Sequence, residues 1–156
     1  MALLTRSKIA GTAAALAAAA GTMVAGAGAA NALPSSLVGI NCMGISPNIV
    51  DVPYSNQVIV SYIRDVSGLP TFTVHSGASI WGYQTHPTLT WTNLATGVSG
   101  SLTGHTNISS MFGTGGTVYF ADVPTGTGPV RLDLSIVNTG LVPVPPVNCS
   151  GTADIL

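Results

Sequence analysis

The stretch Thr88–Gly104, TLTWTNLATGVSGSLTG, holds no charged residue and alternates threonine with larger groups. Leu89, Trp91 and Asn93 fall on one side of an extended chain and Thr88, Thr90 and Thr92 on the other, the period of two that marks a half-buried strand. Ala95-Thr96-Gly97 supplies the turn, with glycine in the last place, where a type I turn closes on a left-handed residue. Val98, Gly100 and Leu102 then line up on the way back. The stretch reads as a β-hairpin that points Trp91 to a core and its threonines to water.

Neighbouring runs follow the same grammar. TFTVHS puts Phe72 and Val74 inward and Thr71, Thr73 and His75 outward; TVYFAD buries Val118 and Phe120. VRLDLSIV buries Val130, Leu132, Leu134 and Ile136 and leaves Arg131 and Asp133 on a shared wet face. QVIVSYIR, Gln57 to Arg64, is apolar on both sides, as a central strand covered on both faces would be. Weaker runs at Ile49–Val52 and Val147–Ser150 bring the expected count to seven or eight strands, an all-β sandwich. No segment after the N-terminal region carries a trustworthy 3.6-residue period.

That N-terminal region has a different character. Arg6 and Lys8 precede the Ala/Leu run Ile9–Ala20, and small residues lead to Ala30-Asn31-Ala32. Basic, apolar and A-x-A segments in this order are those of a secretory leader, so residues 1–32 are expected to form a signal helix and 33–156 the exported domain. Ile9–Ala30 is long enough to span a bilayer, but it is Ala/Gly-rich and a cleavage signal follows at once. Beyond the leader only Arg64 and Arg131 face Asp51, Asp65, Asp122, Asp133 and Asp154, with no lysine and no glutamate. Two arginines cannot neutralise a nucleic-acid backbone or grip an anionic membrane face. Cys42 and Cys149 are the only cysteines, and in an exported chain a disulfide is their simplest state. Closing so long a loop stabilises by up to about 4 to 5 kcal/mol in the chain-entropy account.

The segment FADVPTGTGPVRLDLSI resembles the strand, Pro/Gly corner, strand crossing of immunoglobulin-like and transthyretin-like bacterial modules. Phe120, Val123, Pro124 and Gly126 match that phrase, while Gly128-Pro129 stands where a single aromatic step is usual. With TLTWTNLATGVSGSLTG, the exported part is also similar to small secreted actinobacterial proteins of unknown function. The resemblance implies an immunoglobulin-like fold and an extracytoplasmic compartment, and no active site.

Chemistry-bearing motifs are missing: G-x-S-x-G, G-x-G-x-x-G, a P-loop, H-E-x-x-H and C-x-x-C do not occur. His75, His86 and His105 fit no metal-ligand spacing, with Met43 or Met111 the only added soft donors, so neither metal nor cofactor is expected. The aspartates read as turn and surface residues, Asp154 as part of a tail. Function is therefore expected on loops. SGASIWGYQTHP offers Trp81 and Tyr83, which at two-residue spacing would share a face, and GHTNISSMFGTGG offers Met111 and Phe112. The leading expectation is a non-catalytic binding or structural module, secreted or envelope-associated, whose protein, lipid or glycan partner the sequence does not name. Two rivals are a pore-forming or outer-membrane β protein and a hydrolase built on His105 with an aspartate. The pore would need strands of about nine to eleven residues with an apolar outer face, where the runs here are nearer six to eight.

Overall fold

The computed structural model describes residues 35–63, 66–110 and 113–156. The expected leader, residues 1–32, lies outside them. Among the described residues there is no helix, and nine strands form two antiparallel sheets. They are β1 (Ser35–Gly44), β2 (Tyr54–Ser61), β3 (Thr71–Ser76), β4 (Tyr83–Asn93), β5 (Ser99–Thr103), β6 (Thr106–Ile108), β7 (Gly116–Phe120), β8 (Gly128–Thr139) and β9 (Val147–Ile155). One sheet has the order β1-β2-β3-β7; the other runs β5-β4-β8-β9, with β6 pairing the first part of β4. The two sheets are the two layers of a β-sandwich.

Alternation decides what each strand buries. Leu89, Trp91 and Asn93 from β4 and Val130, Leu132, Leu134 and Ile136 from β8 are buried, facing Val58, Val60, Phe72, Val74, Val118 and Phe120 from the opposite layer. Each fully buried aliphatic or Phe side chain contributes about 1.5 to 3 kcal/mol. The hairpin forms as read, with Leu89 opposite Leu102 and Trp91 opposite Gly100. A Cβ on Gly100 would lie 2.8 Å from the indole, so only glycine leaves the ring its place. The turn is one residue longer than expected: Asn93 and Val98 close a loop of Leu94–Gly97, with Gly97 at φ +74°. Asn93 explains the difference. Its Oδ1 accepts from the Ala95 and Thr96 amides and its Nδ2 donates to the Thr125 and Thr127 carbonyls, so a fully buried amide fixes two connections at once.

Several expectations need correction. Ile49–Val52 is loop, and the first strand is β1, a run that mixes Gly39 and Asn41 with apolar residues and carries a register shift between Val38 and Asn41. β2 is covered on one face only: Val58, Val60 and Tyr62 are buried, Ile59 is half-buried, and Gln57 and Ile63 are exposed. Thr71, expected outward, is buried. Asp154 lies in β9 opposite Pro129, so the final strand outruns its apolar start at Val147. Strands β1, β4 and β8 reach 10, 11 and 12 residues, longer than the expected six to eight. They nonetheless belong to two open-edged sheets around a filled interior.

The two layers are sewn along one side by their edge strands. Cys42 of β1 and Cys149 of β9 form the disulfide, with Cα atoms 5.8 Å apart. Two residues to either side, a glycine faces a branched chain: a Cβ on Gly44 would strike Val147, and one on Gly151 would come within 2.6 Å of Ile40. This bond joins edge to edge, unlike the central inter-sheet bond of antibody domains.

Candidate functional site

Strand register assigns the loops to two ends. Four connections, 45–53, 77–82, 109–115 and 140–146, leave the end where Gly44 pairs with Tyr54, Ser76 with Gly116, and Gln84 with Thr139. The connection 121–127 and the last residue gather at the other end, where Gly68 N–H donates to Leu156 O, Gly126 N–H to Gly68 O and Leu156 N–H to the Tyr62 hydroxyl.

The first end is organised by Asp51. Its Oδ2 accepts hydrogen bonds from Ser79 Oγ at 2.6 Å, Ser46 Oγ at 2.7 Å and Asn48 Nδ2 at 3.2 Å; its Oδ1 accepts from the amides of Ile80 at 2.7 Å and Val52 at 2.8 Å. Partial burial opposes ionisation, but the bonds from Ser79, the Ile80 amide, Ser46 and Asn48 outweigh it and hold the carboxyl well below the usual carboxylate range. Ser79 Oγ in turn accepts from the Trp81 and Gly82 amides, and Asn48 Nδ2 also reaches Gly82 O at 3.0 Å. Loops 45–53 and 77–82 are thus locked through one anion. Loop 140–146 joins them through Val142 N–H on Pro47 O at 2.9 Å.

The outer surface of this assembly is apolar. Ile45, Ile49, Val50, Ile80, Trp81 and Leu141 are all exposed, and Val52 beside them. Val50 is the most exposed large hydrophobic residue among the described residues, at 81 %, and sits at φ +56°, a region β-branched residues rarely enter. Its carbonyl accepts the Trp81 Nε1–H at 3.1 Å, so the indole stands 60 % exposed yet tethered. Open depressions lie beside Val50 and along Val137–Val144, of about 330 and 370 Å³. Neither is enclosed.

Of the expected contact residues, Trp81 is at this surface and Tyr83 is not. Gly82, at φ +75°, turns the chain between them, and Tyr83 opens β4 facing the core, 8 % exposed and edge-on to Tyr54 at 6.4 Å. Burial, then the nearby Tyr54 and Asp51, raise its phenol above the ordinary value. Met111 and Phe112 lie outside the described residues; the flanks of their loop are joined by Ser109 Oγ donating to Gly115 O. Ile45, Ile49, Val50, Leu141 and the Asp51 anchor were not anticipated. The spacing of Ser46, Asn48 and Asp51 was the available signal, but its partners Ser79 and Ile80 lie some thirty positions away.

Comparison with family models, with curated proteins and with solved structures finds no match. The site must speak for itself. The histidines do not converge: His75 Nδ1 meets Thr117 Oγ1 at 3.0 Å on one sheet, whereas His86 and His105 stack with ring centres 6.2 Å apart on the other. Among the described residues no group of three or more His, Cys, Asp or Glu side chains could hold a metal. Arg131 and Asp133 pair with each other at 2.9 Å on the open face of β8.

Proposed function

We propose that the domain is a non-catalytic binding module of the extracytoplasmic space that engages its partner through the loop end around Val50 and Trp81. The observation that carries this reading is Val50. A left-handed conformation there costs a β-branched residue of the order of 1 kcal/mol or more, and glycine or asparagine would relieve it. The strain is held by the surrounding bonds and leaves an isopropyl group in water, which benefits the fold nothing and a contact surface directly. Exposed aliphatic and indole groups on a fixed loop are favourable contact residues. The Cys42–Cys149 disulfide agrees with an oxidising compartment.

Retention of the protein on cell-envelope material tests the reading. Ile49→Ser with Trp81→Ala is expected to lower retention at least tenfold while the circular dichroism spectrum stays that of the parent. Thr90→Ala, on the outer face of β4, is expected to change nothing. Equal retention of the double variant and the parent would remove the loop end from the account.

A further inference from the structure

Across loops 45–53, 77–82, 109–115 and 140–146 the only ionisable side chain is Asp51, and five donors already bond its carboxylate. The other charged side chains among the described residues occupy the opposite half: Asp122 in the connection 121–127, Asp154 opposite Pro129, Arg131 opposite Thr92 and Asp133 opposite Thr90. Among the described residues the domain is therefore apolar at one end and carries most of its charges toward the other. Its tip carries a single charge, the Asp51 carboxylate satisfied by those five bonds, and otherwise projects aliphatic groups; the exposed indole donor there is spent on Val50 O.

Such a tip matches an uncharged, fluid apolar phase. A glycan would need free donors and acceptors around the aromatic ring, and a folded protein would be matched by a polar rim around the apolar centre. We propose that the loop end docks by inserting Val50, Ile49 and Trp81 among the acyl chains of a lipid layer, an assignment that rests on the reading of this end as the contact surface. Attraction of this kind comes from buried apolar area and needs no basic residues, which agrees with a chain that offers only two beyond residue 32. The chain enters β1 at the charged end, where Ser35 pairs with Ser61, so the inserted tip points away from the start of the described domain.

The test reads Trp81 directly, since Trp91 is buried. The full chain is mixed with phosphatidylcholine vesicles, plain or carrying dibrominated acyl chains, with Trp81→Phe, which leaves only the emission of Trp91, as the control. The expected result is a blue shift with plain vesicles and quenching with brominated ones, both insensitive to salt. Val50→Ser and Ile49→Ser should each weaken vesicle binding about tenfold. Trp81 emission untouched by brominated lipid would overturn the lipid assignment, even if the chain bound vesicles through another part. A blue shift that follows protein concentration without lipid would also overturn it, in favour of a second copy. Either failure leaves the contact-surface reading standing if envelope retention still depends on Ile49 and Trp81, and that reading falls separately if it does not.

Discussion

Asp51 shows how one side chain can set the behaviour of a whole surface. An aspartate between Val50 and Val52 reads in sequence as an ordinary polar residue of a short strand, because nothing local says that Ser79 and Ile80 will arrive to bind it. Replacing it by asparagine keeps an acceptor for the Ile80 and Val52 amides but sets an NH₂ group against Asn48 Nδ2, which can only donate. Asp51→Asn is expected to destabilise the domain by about 1 to 3 kcal/mol in denaturant titration. The pH dependence follows from the sign of the shift. The carboxyl is more acidic folded than unfolded, so its contribution is complete above the ordinary value of 3.8 and is lost as pH falls below it toward the folded value. The stability gap between parent and variant should stay constant from neutral pH to about 5 and shrink below 4; a gap that widened in acid would contradict the assignment.

Among the elements, legibility tracks the strength of alternation. β4, β5 and β8 could be read because five or more residues in each keep the period of two and glycine marks the turn, and Cys42 and Cys149 announced their link. β1 was missed because Gly39 and the register shift beside it break the pattern. Ile49–Val52 reads as a strand because four alternating residues also describe an apolar loop tip. Tyr83 reads as a loop residue sharing a face with Trp81, whereas the loop ends at Gly82 and Tyr83 already opens β4. The seam between β1 and β9 depended on contacts no single strand reveals. Its glycines give a direct check: Gly151→Ala places a Cβ against Ile40 and should cost about 1 to 3 kcal/mol, while Gly39→Ala, with open space around it, should cost little. Equal stability of the two variants in urea would show that the edges are not packed as described.

On the scale of the whole molecule, the sequence conveyed an all-β sandwich with few charges but not their placement. Antiparallel register collects four loops at one end, three of them bonded to one another, and puts the remaining described charges in the other half. The proposed contact surface thus arises from topology, because residues 45–53, 77–82 and 140–146 meet only after both sheets have formed. Its rigidity should matter, since a tip fixed before binding loses less conformational freedom on contact. Amide hydrogen exchange of the protein bound to envelope material measures this most directly. The account expects added protection confined to 45–53, 77–82 and 140–146, with the Ile80 amide already slow before binding. Protection on the outer face of β4 and β8, with the loop end unchanged, would contradict it.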